Sequence, residues 1–125
     1  MIVVPAYLEK SAIHGFGVFA SEYVPKGARV WEFNPVFDIR FTEEEFMRLP
    51  ASVRQEIEVH LYQPEKDGLL HYESTMGKYM NHSREPNVDF TEVGVGWAVR
   101  DIHPADELTC DYRHFMADVE HIQYL

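Results

Sequence analysis

A chain of 125 residues is about one domain's worth of sequence, long enough to bury one core. Its 46% apolar content excludes a disordered chain, and a formal charge of -10 excludes a nucleic-acid surface, which needs Lys and Arg against phosphate. The one cysteine, Cys110, excludes an intramolecular disulfide, and no apolar run approaches the ~20 residues of a membrane span.

The first 33 residues read as strands: MIVVPAYLEKS, then GVFASEYV, then ARVWEF after the turn Pro25-Lys26-Gly27. The start lacks the basic residues and cleavage site of a signal peptide, so the expected compartment is the cytoplasm. At Thr42 the period changes. Thr42 with Glu45 forms a capping box, and Phe46 and Leu49 begin an apolar face. Pro50 ends that short helix or opens a second, and Val53, Ile57 and Leu61 continue at helical spacing. QPEKDG is a loop. After YMNHSREPN, the segments VDFTEV and VGWAVRDI flank Gly94 and Gly96 as a hairpin. HPADE is a turn, LTCDY a last short strand, and RHFMADVEHIQYL a short C-terminal helix. Strands and helices are segregated rather than alternating, which predicts an α+β, mostly β, fold.

Common catalytic patterns are missing: no His-Glu-x-x-His, paired Cys spacing, Gly-x-Ser-x-Gly or Walker loop occurs, and no metal site is expected. His60, His71, His103, His114 and His121 read as surface or loop residues. Cys110 reads as a buried small hydrophobe, and Glu43-Glu44-Glu45 as acidic residues at a helix start. Eight Phe, seven Tyr and two Trp suit a β-rich core or a pocket lining. Three segments remain. HGFGVFA carries two glycines that allow a sharp turn close to a ligand, or a plain turn. In YMNHSREPN, Asn81 has the paired donor and acceptor that read a heterocycle, though such groups also satisfy turns. DELTCDY closes a strand with a tyrosine, beside acidic residues that are ordinarily solvated.

In this order and spacing, SAIHGFGVFASEYVPKGARVWEF, YMNHSREPNV and WAVRDIHPADELTCDY resemble three blocks of the SET domain family of protein lysine methyltransferases. The resemblance runs from Ser11 to Tyr112, with about 41–70 matching a variable helical insert. It implies a SET domain over 1–112, a β-clip-like fold of small antiparallel sheets with a knot-like C-terminal crossing that brings Asn81 and Tyr112 together. Residues 113–125 would be a tail. The implied chemistry is methyl transfer from S-adenosyl-L-methionine to a lysine amine, and -10 suits a basic protein or peptide substrate, histone-like or ribosomal. Free lysine has a pKa of ~10.4, so an apolar channel beside a sulfonium must favour the neutral amine.

By the same resemblance, His14, Gly15, Phe16 and Gly17 would hold the cofactor through their backbone, and Asn81 and His82 its amino-acid and adenosine portions. Tyr112 would be the active-site tyrosine and Tyr79 a channel wall. Phe115, just past Tyr112, is a stacking partner for adenine on our own reading. The chain departs from the family in three places. Arg84 stands where many members carry a cysteine, the tail has none of a zinc module's cysteines, and Ala105 occupies a common glycine position. The channel wall such a module supplies would then come from the tail, the substrate or a homodimer partner. The competing readings are a non-catalytic SET-like module that binds basic segments, and an acidic scaffold without a ligand site.

Overall fold

The computed structural model describes residues 1–64 and 67–116. Its strands are short: β1 (Ala6–Lys10), β2 (Phe16–Ala20), β3 (Arg29–Glu32), β4 (Asp38–Thr42), β5 (Leu69–Glu73), β6 (Asn81–His82), β7 (Val88–Asp89), β8 (Val95–Ala98) and β9 (Glu107–Cys110). Helices α1 (Glu43–Met47) and α2 (Ala51–Ile57) lie between β4 and β5, and 3₁₀ turns span Glu58–His60, Met76–Tyr79 and Tyr112–His114. The strands form three small sheets, ordered β1-β2-β9-β6, β3-β8-β7 and β4-β5. This is the expected α+β, mostly β, architecture. No helix among the described residues is long and apolar enough to cross a membrane.

The core sits where the first two sheets meet. Val18 of β2, Val30 of β3, Val88 of β7 and Leu108 of β9 are fully buried, with Ile102 from the segment before β9, as alternation on half-buried strands requires. β9 is central. It pairs antiparallel with β2 through Val18 and Leu108, and parallel with β6 through Asn81–Thr109 and His82–Cys110. A two-residue parallel strand is a weak element by itself. It is held because Asn87 staples β9 from the side: its Oδ1 accepts from Thr109 N–H at 2.8 Å and its Nδ2 donates to Glu107 O at 2.8 Å. The knot-like crossing is thus a strand inserted between two others that precede it in sequence.

The capping box forms as the sequence predicts, with Glu45 N–H donating to Thr42 Oγ1 and Thr42 N–H to the Glu45 carboxylate. Pro50 serves as the N-cap of α2. Two readings need correction. The β4-β5 sheet is absent from the sequence reading, although FDIRFT alternates, because Thr42 ends β4 and caps α1 at once. His71 is not a surface residue: it lies in β5, 8% exposed, with backbone bonds to Tyr62 in both directions. Of the expected C-terminal helix over 113–125, residues 113–116 are described and carry only the end of the 3₁₀ turn Tyr112–His114; 117–125 lie outside the described residues.

Candidate active site

The segment Ser11–Gly15 folds on itself before β2 begins, and Phe16 and Gly17 open the strand. Ser11 N–H donates to Gly15 O at 2.8 Å, and Ser11 Oγ accepts from Ile13 N–H at 2.9 Å. Gly15 has φ 49, the left-handed region that a side chain resists. Gly17 is needed for a different reason. A Cβ there would lie 2.4 Å from Glu107 Oε2, so only glycine lets β9's carboxylate pack on the turn. That carboxylate also takes Ser11 Oγ, 2.7 and 2.9 Å from its two oxygens.

Asn81 completes the knot of bonds. Its Nδ2 lies 3.0 Å from His14 O, 3.0 Å from Phe16 O and 2.9 Å from Glu107 Oε2, in a residue 6% exposed. The glycine turn and the Asn-His segment, some 65 residues apart, are therefore joined directly. The bond comes from parallel pairing of β6 with β9, which sets Asn81 beside the strand that carries Glu107. Cys110 is buried opposite His82, its thiol pKa raised by burial, as a small core residue should be.

His82 and Tyr112 form the next unit. Tyr112 N–H donates to His82 Nδ1 at 3.1 Å, the rings lie 5.1 Å apart, and Tyr112 Oη donates to Met80 O at 3.0 Å. Accepting at Nδ1 makes the imidazole neutral, with its proton on Nε2. That Nε2–H is buried without a partner among the described residues. Burial lowers the His82 pKa; Asp111 pulls it up, and Arg113, Arg84 and His114 push it down again. Asp111 itself is held at about 2 by hydrogen bonds from the Arg113 guanidinium, against burial, and caps the Tyr112 turn through Arg113 N–H.

Met80 and Tyr112 also line a cavity of about 610 Å³, in the range of small-ligand sites. Its wall is a chain of rings. Tyr112 meets Phe115 at 5.8 Å, Phe115 meets Phe90 at 5.3 Å and Tyr62 at 5.7 Å, and Phe90 meets Trp31 at 5.4 Å. Glu73 is a buried carboxylate in this lining; its Oε1 accepts from Trp31 Nε1 at 2.8 Å, and its Oε2 is buried without a partner among the described residues. Burial, with the carboxylates of Asp38 and Glu73, raises the Tyr62 hydroxyl pKa. At the rim, Val59 and Val93 are 79% and 70% exposed, beside Glu58 and Glu92.

The sequence-predicted residues thus divide. His14, Gly15, Phe16, Gly17, Asn81 and His82 cluster on one side, and none of them lines the cavity. Tyr112 belongs to both groups. Phe115 stands in the cavity wall, and Tyr79 stands outside it, against Phe16 at 6.5 Å and His60 at 5.0 Å. Sequence reasoning missed Glu107, Trp31, Tyr62 and Phe90. Only the wealth of aromatics hinted at the last three, and nothing local marked Glu107 as more than a solvated acid. No group of His, Cys, Asp or Glu among the described residues could hold a metal.

Two polar groups here could meet a ligand's donor and acceptor: the Asn81 amide spends Nδ2 on protein acceptors and leaves Oδ1 as an acceptor, and His82 Nε2–H is a buried donor without an acceptor among the described residues.

The model of the SET domain family matches residues 15–113. No curated relative matches in sequence. A Plasmodium falciparum protein, named as a candidate histone methyltransferase, is 22% identical with a TM-score of 0.61; the match covers 89% of this chain and 95% of that one. A chain in a humanized mutant of the Chaetomium thermophilum Polycomb Repressive Complex 2 is 21% identical with a TM-score of 0.65. That match covers 93% of this chain but spans only 16% of the longer one. At such identities the likeness is one of fold.

Proposed function

The chain belongs to the SET domain family, and on that premise we propose that it transfers a methyl group from S-adenosyl-L-methionine to the lysine amine of a basic protein. The observation that carries this reading is Tyr112, which is bonded to His82 on one side and lines the aromatic cavity on the other.

In this reading the cofactor supplies an electrophilic methyl on a sulfonium. The backbone of His14–Gly17 and the Asn81 and His82 side chains hold and orient it, and Tyr79 buttresses the turn through Phe16. The cavity is the amine channel. Its rings exclude water, and the desolvation together with the sulfonium favours the neutral nucleophile against the opposing pull of the Glu73 carboxylate in the lining. The Tyr112 hydroxyl, held by Met80 O, offers its lone pairs to the reacting centre, where positioning does most of the work. Phe115, whose ring stands in the cavity wall, would on this reading line the channel, in place of the adenine stacking expected from the sequence. A second copy of the chain or the substrate itself would close the wall that relatives build with zinc; light scattering with and without peptide distinguishes them.

The charge of -10 and the acidic rim of Glu58, Asp67 and Glu92 favour a Lys- and Arg-rich substrate, and histone-like proteins fit. Calorimetry with S-adenosylmethionine, followed by transfer of labelled methyl to histone-like and ribosomal proteins, tests the reading. Heat of binding and labelled product are expected. No heat and no melting shift at millimolar cofactor would sink it, while peptide binding without product would favour the non-catalytic module. Tyr112→Phe should keep cofactor affinity and lose turnover.

A further inference from the structure

We propose that Glu107 is a positioning residue that gives the cofactor cradle its preference for a ligand with an α-ammonium group. The proposal rests on the S-adenosylmethionine reading above.

An ionised carboxylate can only accept hydrogen bonds. Glu107 uses this on two flanks: Ser11 Oγ on one, Asn81 Nδ2 on the other. Through Ser11, whose Oγ also receives Ile13 N–H, it fixes the shape of the turn. That shape aims His14 O and Phe16 O at the same Nδ2. The amide of Asn81 therefore meets three acceptors on one side. Turned over, it would set Oδ1 against all three, so its orientation is settled by Glu107 and the turn that Glu107 braces. Oδ1 must face away, and no described residue donates to it.

The cradle thus presents an acceptor, where the opposite amide orientation would present a donor. A cation is the matching ligand group. The carboxylate charge behind the amide reinforces the choice, since charge-assisted bonds are stronger than neutral ones. A simple staple between β9 and the turn would explain the contact of Glu107 with Gly17, but would not distinguish ligands by their ammonium group.

That difference is measurable on the full chain by calorimetry with two probes. S-adenosylhomocysteine carries the α-ammonium; 5′-deoxy-5′-methylthioadenosine keeps the nucleoside and lacks the amino acid. Glu107→Leu should weaken the first about ten-fold or more and leave the second within about two-fold. Glu107→Gln, which keeps an acceptor without the charge, should recover part of the loss. Melting curves report folding, and Ser11→Ala, expected to give a smaller selective loss, carries the test if Glu107→Leu does not fold. Equal weakening of both probes, or no change in either, overturns the proposal. A wild-type chain that binds neither probe overturns the cofactor reading itself.

Discussion

The backbone N–H of Tyr112 donates to Nδ1 of His82 over 3.1 Å, making one unit of residues from two separate motifs. Protonation of Nδ1 would turn that acceptor into a donor and break the bond. The folded pKa of His82 is lowered, chiefly by burial, so as pH falls the unfolded chain takes the proton first. The stability this group contributes is full above about 6.5 and is lost as pH falls from there through the folded value. The melting temperature should drop between about pH 7 and pH 5, and methyl transfer with it. His82→Phe should cost about 1–3 kcal/mol by leaving the Tyr112 amide unpaired. It should also flatten the pH slope without abolishing it, because His60, whose pKa burial also lowers, titrates in the same direction. Melts of both proteins across that range check this, and a variant with the wild-type slope would reject it.

Ala105 is the one non-glycine residue at positive φ among the described residues, at 72. Its N–H donates to Ala20 O at 2.8 Å, and its neighbour Asp106 accepts from His103 N–H at 2.9 Å, so the turn holds the strained conformation in place. A left-handed residue with a Cβ costs about 1–2 kcal/mol, while glycine gives back part of that through the unfolded chain. Ala105→Gly should therefore stabilise the fold by roughly 0.5–1 kcal/mol. Urea denaturation measures the gain, and cofactor affinity should not move.

What the sequence made legible was local. The capping box at Thr42 and Glu45 spans four positions, and the three motif blocks are each contiguous, so both could be read directly. The rest depends on distant pairs. Ser11 and Glu107 are 96 residues apart, and no local pattern says that a turn glycine at 17 leaves room for a carboxylate at 107. Ile39 pairs with Tyr72 across the whole helical insert, so β4 and β5 become strands only through each other. The cavity is likewise assembled from β3, β5, the β7 flank and the Tyr112 turn, and its aromatics carry no shared spacing.

The rim of the cavity gives a third test. Glu58 is exposed and lies beside Val59, which is 79% exposed at the mouth. Rim charges contribute modestly to affinity and more to encounter with a charged partner. Glu58→Lys should raise KM for a Lys- and Arg-rich peptide about two- to five-fold, with kcat nearly unchanged. It should also flatten the dependence of kcat/KM on salt, because one attractive charge has been reversed. Initial rates at two ionic strengths decide this. An unchanged KM and an unchanged salt slope would remove the rim from substrate recognition.

Gly96 separates the two halves of the site most sharply. A Cβ at this position would lie 2.8 and 2.9 Å from the Phe90 ring and 3.0 Å from Val88 Cγ1. Val88 is fully buried and cannot retreat, so Phe90 must move. Its ring is packed against Trp31 and Phe115, and the open direction is the cavity they line together. Gly96→Ala should therefore cost about 1–3 kcal/mol through overpacking and narrow the channel. Among the described residues, neither the Ser11–Gly15 turn nor Asn81 nor His82 lines the cavity, so cofactor affinity should stay at the wild-type value while turnover on protein substrate falls. Calorimetry and methyl-transfer rates on the same preparation separate the two effects. Loss of cofactor affinity with normal turnover at saturating cofactor would place the cofactor, not the lysine, in the aromatic cavity.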